Sequence, residues 1–232
     1  TLGTKCVRDP YILKAKDEKG VPCYYIVATD MDAMQGWVSN HSIIFWKSYD
    51  LVNWEDEFVL DMRDFEGWEG CNRAWAPQII YDETVGKYMV YLALSTWDDP
   101  ATPLNEDVAQ HYYMYTADFK TFTAPEYLYG RRSETVTRDD GTHFTGVQCI
   151  DGDMVYNEKD GYYYMTYSPF GLGSRMYSLY MAVADNPFGP FIKVPEYSPN
   201  LGLDQSESQD YMAGTGHHSF VKVGDEMWCM YH

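Results

Sequence analysis

One pattern of polar and apolar residues recurs four times along this 232-residue chain, and it commits the chain to β-structure. Each copy has a polar head, a short apolar strand, a polar turn that usually contains Gly, and an aromatic-rich strand. The first runs from Asp9-Pro10-Tyr11-Ile12-Leu13 to Tyr24-Tyr25-Ile26-Val27, and the second from Ala76-Pro77-Gln78-Ile79-Ile80 to Lys87-Tyr88-Met89-Val90-Tyr91. The third runs from Asp151-Gly152-Asp153-Met154-Val155 to Tyr162-Tyr163-Tyr164-Met165, and the fourth from His217-His218-Ser219-Phe220-Val221 to Glu226-Met227-Trp228-Cys229-Met230. Aromatic and β-branched runs flanking a Gly-bearing turn predict a β-hairpin in each case.

A second hairpin comes after three of the four. Its first strand runs into an Asp and a turn, at Asp50, Asp118 and Asp185, and an aromatic then restarts the chain at Trp54, Phe122 and Phe191. Two hairpins make a four-stranded unit, and units begin roughly every 65 to 75 residues, which is the arrangement of a β-propeller. A β-sandwich of similar hairpins is the competing architecture; repetition at two levels favours the propeller. No long segment carries the 3.6-residue apolar period of a helix. The expected organisation is a single domain over 1–232, with blades at roughly 5–70, 71–145 and 146–210 and a partial one at 211–232. Half a blade would leave strand edges open, so the natural chain is expected to continue beyond His232.

Composition narrows the partners. The formal net charge of −18 opposes nucleic-acid backbones and anionic membrane surfaces, both of which need clustered Lys and Arg. A neutral ligand or a metal ion suits it better. No apolar run reaches the roughly 20 residues of a membrane span. The expected location is secreted, periplasmic or at the cell surface, although no signal peptide is visible from Thr1 onward. Cys6, Cys23, Cys71, Cys149 and Cys229 lie far apart without a CxxC pair, so zinc is not expected and free thiols are.

In a propeller the innermost strand of each blade starts at one mouth of the channel, so the polar heads should converge: Asp9, Gln78, Asp151 with Asp153, and His217 with His218. Carboxylates facing one cavity suit glycoside hydrolysis, in which one activates a water and a carboxylic acid protonates the leaving oxygen. An isolated Asp before Pro or Gly would be read as a turn cap; recurrence at the same place in successive units makes Asp9 and Asp151 candidates for catalysis. Asp153, two residues on, faces the same side of its strand as Asp151.

Several motifs resemble the family 43 glycoside hydrolases. They are Arg8-Asp9-Pro10-Tyr11-Ile12, Ser48-Tyr49-Asp50-Leu51-Val52-Asn53-Trp54, Trp75-Ala76-Pro77-Gln78-Ile79, Met165-Thr166-Tyr167-Ser168, Asn186-Pro187-Phe188-Gly189-Pro190-Phe191 and Gly214-Thr215-Gly216-His217-His218-Ser219. The resemblance implies a five-bladed propeller and hydrolysis with inversion, usually of α-L-arabinofuranosyl or β-D-xylosyl linkages, by an Asp base, a tuning Asp and a Glu acid. Asp9 matches the general base. Asp151 matches the tuning Asp by its Ile150-Asp151-Gly152 context, or the acid by the Met165 to Ser168 and Gly189-Pro190-Phe191 runs downstream of it.

The chain departs from the family in having no Glu-Gly-Pro triplet, the motif that carries the acid. A carbohydrate-binding propeller without turnover is therefore the alternative from another class, and a glycosidase of other specificity, such as galactan, the alternative within the fold. Trp75, Gln78, Asp153, His217 and Trp46 are the expected substrate-binding residues, with Trp68 and Trp97 as further aromatic candidates and Glu207 and Asp210 as loop carboxylates near the mouth. The resemblance also places a His in the channel, so His217 is the candidate to touch a structural calcium ion, through water because calcium prefers oxygen ligands. No cofactor is expected to be required.

Overall fold

The computed structural model describes residues 2–96, 109–137, 143–170, 180–194 and 217–230. Trp97, Glu207, Asp210 and Gly214 to Gly216 lie outside the described residues. Two compact units divide the chain, Thr1–Tyr127 and Leu128–His232. Among the described residues the only helical segments are two 3₁₀ turns, Ala33–Gln35 and Met62–Asp64, and no helix is long and apolar enough to cross a membrane.

The first unit is built from meandering antiparallel sheets. Strands β1 (Val7–Lys16), β2 (Pro22–Asp30), β3 (Ser42–Ser48) and β4 (Glu55–Asp61) form one sheet in chain order. Strands β5 (Cys71–Asp82), β6 (Lys87–Thr96), β7 (Gln110–Thr116) and β8 (Glu126–Tyr129) form the next in the same order. Each is the two-hairpin unit read from the sequence. The turn chemistry repeats as well. The Asp17 carboxylate accepts the Lys19 and Val21 amides at 2.9 and 2.8 Å, and Asp82 accepts Thr84 at 2.9 Å. Gly20 and Gly86 then take φ of 77° and 67°, a conformation that costs a side-chain-bearing residue strain.

The outer turns share a second plan. Ser48 accepts the Leu51 amide and Thr116 the Phe119 amide, both at 2.9 Å. Asp50 accepts Val52 and Asn53, as Asp118 accepts Lys120 and Thr121. Those amides hold the Asp50 carboxyl well below the usual carboxylate range. The core lies where apolar faces meet, with Val27, Ile43, Phe45, Val90, Leu92 and Met114 all buried. Burial of each such side chain contributes about 1.5–3 kcal/mol.

In the second unit β9 (Arg131–Thr137), β10 (His143–Asn157), β11 (Tyr162–Phe170), β12 (Tyr180–Ala184) and β13 (Ile192–Lys193) form a five-stranded sheet in the order β13-β12-β11-β10-β9. The long β10 pairs with β9 along its first half and with β11 along its second. Cys149, Met165, Tyr167 and Ala182 are buried, and the Tyr129 and Tyr167 hydroxyls meet at 3.0 Å. Strands β14 (Ser219–Val223) and β15 (Glu226–Met230) make a separate hairpin. None of the five cysteines, all among the described residues, is joined in a disulfide.

Candidate active site

Strands β1, β5 and β10, each of which opens a hairpin unit, break their ladders at the head. Register shifts fall between Arg8 and Tyr11, between Trp75 and Gln78, and between Ile150 and Asp153. At each break one residue turns left-handed: Asp9 at φ 50°, Ala76 at 46° and Asp151 at 54°. His217, two residues ahead of β14, adopts the same conformation at φ 42°. An extra residue of this kind kinks the strand and re-aims its side chain. Asp and His tolerate the left-handed region better than most residues, whereas Ala is strained there by about 1–2 kcal/mol.

The expected alignment of heads is corrected at one place. Gln78 is not the counterpart of Asp9; Ala76 is, because the bulge supplies the head residue and Gln78 lies two positions further on. Gln78 is buried, and its side-chain carbonyl accepts the Tyr91 hydroxyl at 3.2 Å. The Ala76 amide donates to the Thr29 hydroxyl at 2.8 Å, which ties the bulge of β5 to β2.

Asp9 is half-buried. Beside it stands a row of aromatic and cationic groups. The Arg8 guanidinium lies 4.9 Å from the Trp37 ring centroid, Trp37 meets Trp75 edge-on at 6.3 Å, and Arg73 lies 5.2 Å from the Trp75 ring. Trp37 is 59% exposed. The Trp75 indole N–H is buried without a hydrogen-bond partner among the described residues, an uncommon state for a buried donor. Trp37 was missing from the sequence-derived candidates. It sits in the loop after β2, where no strand or helix period marks it, and a Trp directly after Gly36 in a polar loop was the available signal.

The second unit holds the other heads. Asp151 is buried, and one of its carboxylate oxygens lies 3.7 Å from Nδ1 of His217, an ion-pair distance beyond hydrogen-bonding range. Asp153 is buried and accepts the Phe220 backbone N–H at 2.5 Å, which fastens β14 to β10. His218 is fully buried, with Nε2 against the Thr166 hydroxyl and Nδ1 without a partner among the described residues. Desolvation, with a smaller contribution from His217, pushes its pKa down to about 3, so the ring is neutral.

The remaining aromatic candidates lie elsewhere. Trp46 is half-buried on β3, opposite Ile26, three residues along from the row that joins Arg8, Thr29 and Ile43. That is about 10 Å of strand from the Asp9 end. Trp68 is half-buried, packs edge-on against Tyr112 at 4.7 Å and lies against the core. No group of three or more His, Cys, Asp or Glu among the described residues is placed to hold a metal ion. A calcium site at His217 is thus supported, among those residues, by a single carboxylate neighbour, and no chemical step is routed through a metal.

Solved structures with this architecture include several carbohydrate-active enzymes. An exo-1,5-α-L-arabinanase from a bovine ruminal metagenomic library is 16% identical over 96% of this chain and 67% of that one, with a TM-score of 0.58. An N-acetylgalactosamine deacetylase of F. plautii, solved with blood group B trisaccharide, is 15% identical over 95% of this chain and 63% of that one, with a TM-score of 0.55. The family 43 protein BlXynB of Bacillus licheniformis is 17% identical over 97% of this chain, with a TM-score of 0.42, and this chain spans 48% of its length. No curated protein matches the chain. At these identities the likeness to the arabinanase and the deacetylase shows the fold alone, the all-β, propeller-like one that the repeat predicts. Residues 1–231 match the model of the family 43-related glycosyl hydrolases, described as a probable glycosyl hydrolase domain, and the chain belongs to that family.

Proposed function

We propose that the protein hydrolyses glycosidic bonds with inversion, acting on α-L-arabinofuranosyl or β-D-xylosyl linkages of a polysaccharide or oligosaccharide. The observation that carries this reading is the recurrence of one left-handed bulge at the strand heads, filled by Asp at positions 9 and 151. Asp9 takes a proton from a water as that water attacks the anomeric carbon. The leaving oxygen takes a proton from the acid, and the products are the free sugar of inverted configuration and the shortened chain. Asp151 orients and tunes the acid or is itself that acid. Trp37 and Trp75 offer apolar faces to a sugar ring, with Arg8 and Arg73 fixing the indoles. A polymeric substrate too large to enter a cell places the enzyme in the secreted, periplasmic or cell-surface space.

Turnover of nitrophenyl α-L-arabinofuranoside and β-D-xyloside tests the proposal, with proton NMR of the first-formed anomer to read stereochemistry. Failure on both, with hydrolysis of galactan fragments, would redirect the specificity. A second reading is a carbohydrate-binding domain without turnover, favoured by Ala76 in the bulge of β5 and by the missing Glu-Gly-Pro. Oligosaccharide binding with no hydrolysis over long incubation would establish it.

A further inference from the structure

We propose that a cavity of about 370 Å³ in the first unit is a second carbohydrate site, built for a neutral mono- or disaccharide and remote from the strand heads. It opens at the turn end of β1–β4 and β5–β8. Asp17 on its wall is eight residues beyond Asp9 along the strand, about 26 Å at 3.3 Å per residue.

The cavity is lined by aromatic rings from the β1–β4 sheet, Tyr25, Phe45 and Phe58, and by Phe119 of the turn after β7, with Tyr25 and Phe119 stacked at 3.9 Å. Its rim carries five carboxylates and three lysines, and seven of these eight side chains already have a partner among the described residues. Lys47 is paired with Asp56, and Lys120 with Glu18 at 2.9 Å. Asp17 accepts the Tyr49 hydroxyl at 2.9 Å, Glu57 the Leu2 amide at 2.5 Å, and Asp118 the Lys120 and Thr121 amides. An anion would meet five carboxylates on a chain of net charge −18. A cation would have to compete with the donors that those carboxylates already hold.

A polyhydroxylated neutral ligand meets neither obstacle. Each ammonium has three donors and each carboxylate about four acceptor positions, so both retain capacity for hydroxyl groups after pairing. The Tyr49 ring, 45% exposed and held between the Asp17 carboxylate and the Lys47 ammonium 5.3 Å from its centroid, is positioned beside them for the apolar face of a sugar. The volume falls within the range of small-molecule sites.

The cavity site is separate from the catalytic proposal and does not depend on Asp9. Calorimetric titration of the full chain carrying Asp9→Asn with xylobiose, and separately with arabinobiose, avoids turnover and leaves the cavity intact. A two-site isotherm is expected with at least one of them. Adding Tyr49→Ala, or Lys47→Met, should weaken one of those sites at least tenfold and spare the other. An isotherm that neither substitution changes, or no binding of either sugar, overturns the proposal. If a variant melts early, ring-proton shifts of Tyr49 and Phe58 on titrating the Asp9→Asn protein decide instead: movement supports the site and stillness rejects it. A failed catalytic proposal is recognised separately, as an unsubstituted chain that turns over no nitrophenyl glycoside while the cavity isotherm persists.

Discussion

Asp9 and Asp151 hold the same backbone position in two separate sheets, each the left-handed residue of a bulge at the head of a hairpin, at φ 50° and 54°. A bulge takes the residue out of the ladder, so its side chain is released from the alternation that governs the rest of the strand. Spending that position twice on Asp separates these carboxylates from the turn-capping Asp17, Asp50, Asp82 and Asp118, which accept amides of their own turns.

Asparagine also tolerates the left-handed region, so Asp9→Asn removes the carboxylate without disturbing the bulge. The kcat of that variant on an activated arabinofuranoside or xyloside should fall about 10²–10⁴-fold, with an unchanged melting temperature. Asp9→Val is the control for the backbone. A β-branched residue at this φ should lower unfolding free energy by about 1–2 kcal/mol beyond the Asn variant, as read by urea titration. Retained turnover in Asp9→Asn would remove it as the base.

His218 gives the molecule an acid limit. Its folded pKa is depressed to about 3 while the unfolded ring titrates near 6.5. The unfolded state therefore binds the extra proton first as pH falls. The stability contributed by the neutral buried ring is complete above pH 6.5 and is lost progressively toward pH 3, at up to about 1.4 kcal/mol per pH unit. His218→Gln should flatten that slope in urea titrations at pH 6.5, 5.5 and 4.5. An equal slope in both proteins would mean that another group sets the acid limit.

Much of the fold was legible because hairpins declare themselves locally. Cys23, Tyr25 and Val27 are buried in alternation with the half-buried Tyr24 and Ile26, and Gly20 and Gly86 mark the turns between strands. The site was legible only in part. Asp9 and Asp151 stand out by recurrence, but sequence order cannot reveal that a bulge makes Ala76, not Gln78, their counterpart. Nor can it tell which of two adjacent histidines is buried, since both precede β14 and the left-handed turn at His217 sets their directions; here His218 goes inward and His217 stays near Asp151. Trp37 escaped because a loop residue acquires its place only from what packs against it, here Arg8 and Trp75.

Trp37→Ala tests that loop residue. Trp37 is 59% exposed, so truncation should cost the fold little. Loss of an aromatic platform worth about 0.5–1.5 kcal/mol should raise KM about two- to tenfold with a smaller effect on kcat. Trp46→Ala, on the third strand and away from the strand heads, should leave KM unchanged. If Trp46→Ala raises KM and Trp37→Ala does not, the platform has been assigned to the wrong ring.

Asp153 separates a fastening role from a substrate-binding one. Its carboxylate accepts the Phe220 amide at 2.5 Å, and Thr166 donates to its backbone carbonyl at 3.4 Å. Asp153→Ala leaves the Phe220 N–H without its acceptor, which should cost about 1–3 kcal/mol and speed hydrogen exchange at Phe220 and its β14 neighbours. Asp153→Asn keeps an acceptor oxygen and should recover most of that protection. Under the fastening role KM for small glycosides stays level in both variants. A KM that rises in Asp153→Asn while Phe220 exchange remains slow would show that the carboxylate meets the sugar directly, and the bond to β14 would then be incidental to its function.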